Sequence, residues 1–176
     1  MNHSALQHPK FFNRYVEKLP HGDLNQLMKT AYQDLQADLE ILKGADFNYS
    51  YQEGKWSIAK LIQHCIDTEQ IFGYRALCIA RKDPNPIMSF DENQYADASE
   101  TKFDKDVLIS SFDIARKQNM LLFQGFNMDW LDRCIKTEHG EHLSLVSMAY
   151  IIIGHWLHHK AILITRYGVP FNEKQD

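Results

Sequence analysis

The sequence predicts an all-α four-helix bundle in a single domain, with a short N-terminal helix and long crossover loops. Three observations predict it. Four stretches return an apolar residue every three or four positions, residues that start and stop helices stand at their ends, and almost no alternating apolar–polar run of the strand type occurs. With 44% of 176 residues apolar and 24% charged, these stretches can close around one core. No repeat, low-complexity tract or linker divides the chain, so 1–176 is expected to be one domain with its bundle over about 19–168.

In chain order, Lys10 to Leu19 predicts a short helix that lays Phe11, Tyr15 and Leu19 on the body before Pro20 ends it. The first long helix follows. Asp23 and Gln26, three apart, make a capping-box pair, and Leu24, Leu27, Met28, Ala31, Leu35, Leu39 and Leu42 keep to one stripe until Lys43-Gly44. The second starts after Trp56 with Ser57 as N-cap, carries Ile58, Leu61, Ile62, Cys65, Ile66, Ile71 and Phe72 on one broad side, and runs to about Arg81. Pro84 and Pro86 then open an irregular connection through Ile87 to Thr101. It reads first as a plain surface crossover and second as a lid or wall of a site.

A third helix is expected from about Asp104 to Gln124, with Leu108, Phe112, Ala115 and Leu122 on its stripe and Gly125 at its exit. Arg133 to Leu143, centred on His139-Gly140, suggests a tight turn and a small hairpin. The last helix takes Ser144 as N-cap, runs Met148, Ile151, Ile152, Ile162 and Ile164 through its interior, and stops at Tyr167-Gly168 before Pro170.

Charge and composition remove several function classes. Nineteen Lys and Arg against 23 Asp and Glu give a net charge of −4, which leaves no cationic surplus to hold a phosphate backbone, so no nucleic-acid partner is expected. No run approaches the roughly 20 apolar residues of a membrane span. Met1 to Pro9 is polar and lacks the apolar core of a signal peptide, so a cytoplasmic protein is expected. Cys65, Cys78 and Cys134 are odd in number and form no CxxC, which speaks against a disulfide framework and a cysteine zinc module.

The unusual residue is histidine, with nine copies. In Gly154-His155-Trp156-Leu157-His158-His159, His155 and His159 are four apart and stack one turn from each other. Met148, Ile151, Ile152 and Ile162 share their face, which must therefore look into the bundle. An unsatisfied buried polar group costs about 1–3 kcal/mol, and a shared divalent metal ion removes that cost for imidazoles. His64, on the second-helix stripe of Leu61, Thr68 and Ile71, is the candidate third ligand. Three nitrogen donors with coordination positions left open resemble catalytic sites more than closed structural ones. Zinc or nickel suits such donors first, iron or copper next.

The competing reading is that the HxxxH pair, which lacks the glutamate of HExxH, arises by chance, and that His64 bonds a backbone carbonyl. His158, about 60° round from His155, is placed at the rim or exchanges roles with His159. Asp67, one turn past His64, is placed to orient a ligand ring or take a proton, or is a surface carboxylate. Arg75 lies on the His64 face, where it meets an anionic substrate or pairs with an acid. Glu69 points away and reads as a surface or dimer-contact residue. His3, His8 and His21 are expected to be solvated, and His139 and His142 to lie on the surface. No residue is assigned a catalytic role.

Taken in order, Gly54-Lys55-Trp56-Ser57-Ile58-Ala59-Lys60-Leu61-Ile62-Gln63-His64 with Asp67-Thr68-Glu69, Tyr74-Arg75-Ala76-Leu77 with Ile79-Ala80-Arg81, and Tyr150-Ile151-Ile152-Ile153-Gly154-His155 with His158-His159 and Arg166-Tyr167 resemble the DinB-like superfamily, near its YfiT-like members. The similarity runs from roughly Leu19 to Gly168. It implies a four-helix bundle, a divalent metal on His64, His155 and His159, and frequent homodimers. It also implies small-molecule chemistry, with relatives that act as thiol-dependent transferases or isomerases using bacillithiol or mycothiol and others described as metal-dependent hydrolases. The expectation is a metal-dependent enzyme that activates water or a thiol. The alternative is a non-catalytic metal-binding structural or stress-response module.

Overall fold

The structure is a computed structural model and describes residues 6–17, 19–20, 22–99 and 104–171. His3, His21 and the end of the predicted crossover at Thr101 lie outside the described residues. The bundle is made of α2 (Leu24–Leu42), α3 (Ile58–Arg81), α5 (Lys105–Gln124) and α6 (Leu145–Tyr167). Two short helices, α1 (Asn13–Val16) and α4 (Glu92–Ala98), and an antiparallel hairpin of β1 (Cys134–Lys136) and β2 (His142–Ser144) are added to it.

The predicted starts and stops hold because their side chains satisfy the free backbone groups of a helix end. Asp23 accepts from the Gln26 N–H at 2.9 Å, Ser57 from Lys60 at 3.3 Å and Ser144 from Ser147 at 3.3 Å, and Asp104 accepts from both Asp106 and Val107. Each cap contributes about 1 kcal/mol. Gly168 ends α6 with φ at 70°, a left-handed conformation that costs glycine nothing. No helix among the described residues is long and apolar enough to cross a membrane.

Two apolar clusters fill the bundle, one around Met28, Ala76, Phe123, Met148 and Ile151, the other around Leu35, Ile62, Phe112 and Leu163. Buried polar residues stand on all four bundle helices: Asp38 on α2, His64, Thr68, Glu69 and Arg75 on α3, Arg116 and Asn119 on α5, and Ser147, His155 and His159 on α6. Glu69 therefore corrects its surface reading. It is buried against α5, where Arg116 donates to Glu69 Oε1 from Nε at 2.8 Å and from Nη2 at 2.5 Å, and Asn119 Nδ2 donates to Oε2 at 2.7 Å. Glu69 points away from the His64 face, but Ile62, Cys65, Ile66, Phe72 and Ala76 share its side of α3, which packs on α5 and not on solvent.

Two additions flank the bundle, and both are fastened by backbone bonds. At the N-terminus, the Gln7 N–H donates to Ser144 Oγ and the Ser144 N–H to Gln7 O at 2.8 Å. Further along, the Tyr15 carbonyl approaches α6 where Gly154 has no side chain to meet it. Tyr15 and Leu19 are buried as predicted, whereas Phe11 is 53% exposed. The connection after α3 is the larger departure from expectation. It contains α4 and is pinned to the hairpin, with the Ile87 N–H donating to Lys136 O at 3.0 Å and the Glu138 N–H to Ile87 O at 2.9 Å. Asp91 caps α4 by accepting from Asn93 and Gln94. The segment is thus no plain surface crossover: anchored in this way, it forms a wall of the cavity described next.

Candidate metal centre and its cavity

His64 comes from the second turn of α3, and His155 and His159 from successive turns of α6. Their Nε2 atoms converge. His155 Nε2 stands 3.1 Å from His64 Nε2 and 3.2 Å from His159 Nε2, and the candidate donor atoms of all three lie within 4.8 Å of one another. The residues are 9%, 6% and 9% exposed in the order His64, His155, His159.

The hydrogen-bond partners of His155 dictate what its ring presents. Thr68 lies one turn beyond His64, and its hydroxyl donates to the carbonyls of His64 and Cys65, both at 2.9 Å. With that hydrogen committed, the Thr68 oxygen accepts from His155 Nδ1–H at 3.3 Å, which leaves a lone pair on His155 Nε2. Two neighbouring imidazoles cannot both donate well to that one lone pair. A shared cation resolves the conflict, since all three nitrogens can then point lone pairs at it. Two nitrogens about 2.1 Å from a tetrahedral ion stand about 3.4 Å apart, close to the observed separations, so the residues fit such an ion. Among the described residues, His159 Nδ1 is buried without a hydrogen-bond partner, unlike the Nδ1 of His155.

Rings surround the cluster. Trp56 stands 5.3 Å from His64 between centroids, and Tyr15 and Phe72 stand 5.3 and 5.6 Å from His155. This apolar surround disfavours the charged imidazolium. Burial is the largest cause for all three: it holds His64 down at about 4, and His155 and His159 well below the usual histidine range, with the neighbouring histidines adding to the effect. The imidazoles are neutral near pH 7, the form that binds metals.

A pH dependence follows with a definite sign. The unfolded chain takes up protons at about 6.5 while folded His64 resists until about 4, so stability present above pH 6.5 is lost as pH falls through this window. For metal-free protein, urea unfolding at pH 7 and pH 4.5 is expected to differ by about 2 kcal/mol from His64 alone. Equal stability at the two values would refute the buried, neutral site.

The cluster opens into a cavity of about 450 Å³. One side is the N-terminal segment with Phe12 and Tyr15, and the other is the segment after α3 with Ser89, Phe90, Glu92 and Asn93. His158 and Arg75 line it too. His158 is half-buried, 5.5 Å from the Tyr15 ring and 5.2 Å from the His159 ring, beside the converging nitrogens rather than among them. Asp67 is turned from the site, with its carboxylate accepting from Gln63 Nε2 at 2.8 Å, and does not line the cavity. His139 and His142 are exposed as expected, whereas His8 is half-buried.

Sequence reasoning missed Thr68, Tyr15, Phe72, Phe90 and Glu92 as parts of this site. Thr68 was within reach, four residues from His64 on the same face. Phe90 and Glu92 come from a segment without periodicity, and the brief apolar pattern around Tyr15 points it at the body without saying which helix it meets.

Comparison with known proteins agrees with this architecture. The DinB superfamily matches residues 27–163, and the chain belongs to that family. Two proteins of Oceanobacillus iheyensis, each named a putative metal-dependent hydrolase, are similar to it. One is 24% identical over 149 residues, covering 82% of this chain and 86% of the relative, and the other is 23% identical over 150 residues, covering 85% and 81%. YfiT from Bacillus subtilis, whose structure is described as that of a probable metal-dependent hydrolase with an unusual four-helix bundle topology, superposes with a TM-score of 0.69 at 15% identity. That match covers 90% of this chain and 99% of YfiT, and it establishes the shared fold.

Proposed function

We propose that the protein is a metal-dependent enzyme acting on a small molecule, with His64, His155 and His159 as ligands of one divalent ion, zinc or nickel by preference. One observation carries this reading: three neutral imidazole nitrogens from two helices meet at the wall of an open cavity. When bound there, the ion supplies Lewis acidity, which favours the anionic form of water or a thiol near neutral pH and polarises an electrophile. Thr68 holds the His155 ring in the tautomer that offers Nε2. Tyr15, Trp56 and Phe72 keep water away from the ligand rings, which strengthens every charge interaction inside. Glu92, in the facing wall, is the carboxylate available to take a proton from an incoming nucleophile.

The names of the similar proteins favour hydrolysis over thiol transfer as the first reaction to try. Elemental analysis of protein purified without added metal is expected to give about one equivalent per chain, and His155→Ala to lose it while staying folded. Thr68→Val should keep the stoichiometry but weaken metal affinity about 10–100-fold. Turnover of a nitrophenyl ester, with and without added thiol, should vanish on chelation and return with the ion. Full metal occupancy with no turnover on water or thiol would favour the non-catalytic module.

A further inference from the structure

We infer that the cavity accepts an organic carboxylate, whose anionic end docks on Arg75 while its apolar body lies along Phe72 and Phe90 and its other end reaches the histidines. The inference extends the reading of this cavity as an active site. Arg75 is 8% exposed and lines the cavity, yet it forms no ion pair with any described carboxylate. Its one hydrogen bond among the described residues runs from Nη2 to the Met88 carbonyl, at 2.6 Å. A guanidinium carries five N–H groups in a fork that matches a carboxylate, so most of its donor capacity is unused.

Arg116 shows what the fold does when a buried arginine is structural: it supplies Glu69. Arg75 receives no such partner, and a buried charge without one is costly. Burial accordingly lowers the proton affinity of Arg75, with the more distant Glu138 opposing. Glu92 shares the cavity wall but does not pair with Arg75. A ligand carboxylate would complete the missing half of the pair.

The rings fix the rest of the ligand. The Arg75 guanidinium carbon stands 5.8 Å from the Phe72 centroid and 5.6 Å from the Phe90 centroid, an aromatic slot that favours an apolar body next to the anion. Phe72 in turn stands 5.6 Å from the His155 ring. The guanidinium and the His155 imidazole are therefore less than about 12 Å apart, a span that one small ligand bridges.

The test compares two probes of one shape, 4-phenylbutyrate and 4-phenyl-1-butanol, by calorimetry on wild-type protein, Arg75→Gln and His155→Ala, with metal content measured on each. Wild type is expected to bind the acid at least about tenfold more tightly than the alcohol, as befits a charged hydrogen bond. Arg75→Gln should lose most of that preference while keeping its affinity for the alcohol and its metal. In His155→Ala the preference should persist. Equal binding of the two probes by wild type overturns the inference. So does a preference that survives in Arg75→Gln and disappears in His155→Ala, because the carboxylate would then sit on the metal. Wild type lacking metal but keeping an Arg75-dependent preference refutes the metal reading alone and sustains this one.

Discussion

Replacing Gly154 with alanine is expected to push the N-terminal segment off α6 and lower the melting temperature by about 5–10 °C, the equivalent of about 2–3 kcal/mol in a chain this long. A Cβ at this position would stand 2.0 Å from the Tyr15 carbonyl oxygen and 2.6 Å from its carbon. Both are backbone atoms, so no side-chain rotation relieves the clash. The sign of the effect is diagnostic, because alanine in a helix interior is intrinsically better than glycine by about 1 kcal/mol. A rise in melting temperature would show that the segment does not lie against α6. Loss of the seat should also free the Tyr15 ring from His155 and His158, so faster hydrogen exchange over residues 6–17 is expected alongside the thermal effect.

Glu69→Gln carries the other large penalty. It leaves the Arg116 guanidinium, which is 0% exposed, without its counter-charge, and removing one partner of a buried pair costs about 3–5 kcal/mol. Arg116 would keep its bond to the Ile152 carbonyl and neutral bonds to the glutamine amide oxygen, but no negative charge would face it. Replacing both residues with apolar ones, Glu69→Leu with Arg116→Met, should recover most of the loss, since no charge then stays buried alone. Urea unfolding of wild type and the two variants measures both the loss and its recovery. A single variant as stable as wild type would mean that water reaches Arg116.

The contrast between Glu69 and His155 shows how far the sequence could be read. His155 lies on a face of isoleucines and methionine, so its inward direction followed from the helical period. Glu69 points away from the histidine face and reads as outward on that ground, although Ile62, Cys65, Ile66, Phe72 and Ala76 share its side. α3 buries two sides, and nothing local announces the arginine that meets Glu69 from α5. The four long helices were legible for the same reason as His155, through apolar repeats and capping residues such as Ser57 and Asp23. α4 was not, because a seven-residue helix with one buried residue, Ala96, leaves almost no periodic signal. The histidine cluster was legible as spacing. Its surroundings were not, since Tyr15 and Phe90 reach it through backbone bonds to Ser144 and the hairpin that no local pattern encodes.

The cavity draws its walls from outside the bundle, and this bears on what kinship can say about such proteins. Bundle helices provide the reactive groups, whereas the strap before α2 and the span between α3 and α5 provide much of the shape that an incoming molecule meets. Those outer pieces carry none of the three converging imidazoles, so a change in them alters the shape before it alters the reactive groups. Two cousins with matching imidazoles are therefore free to differ in diet, and a shared label for chemistry transfers between them more safely than a shared label for substrate.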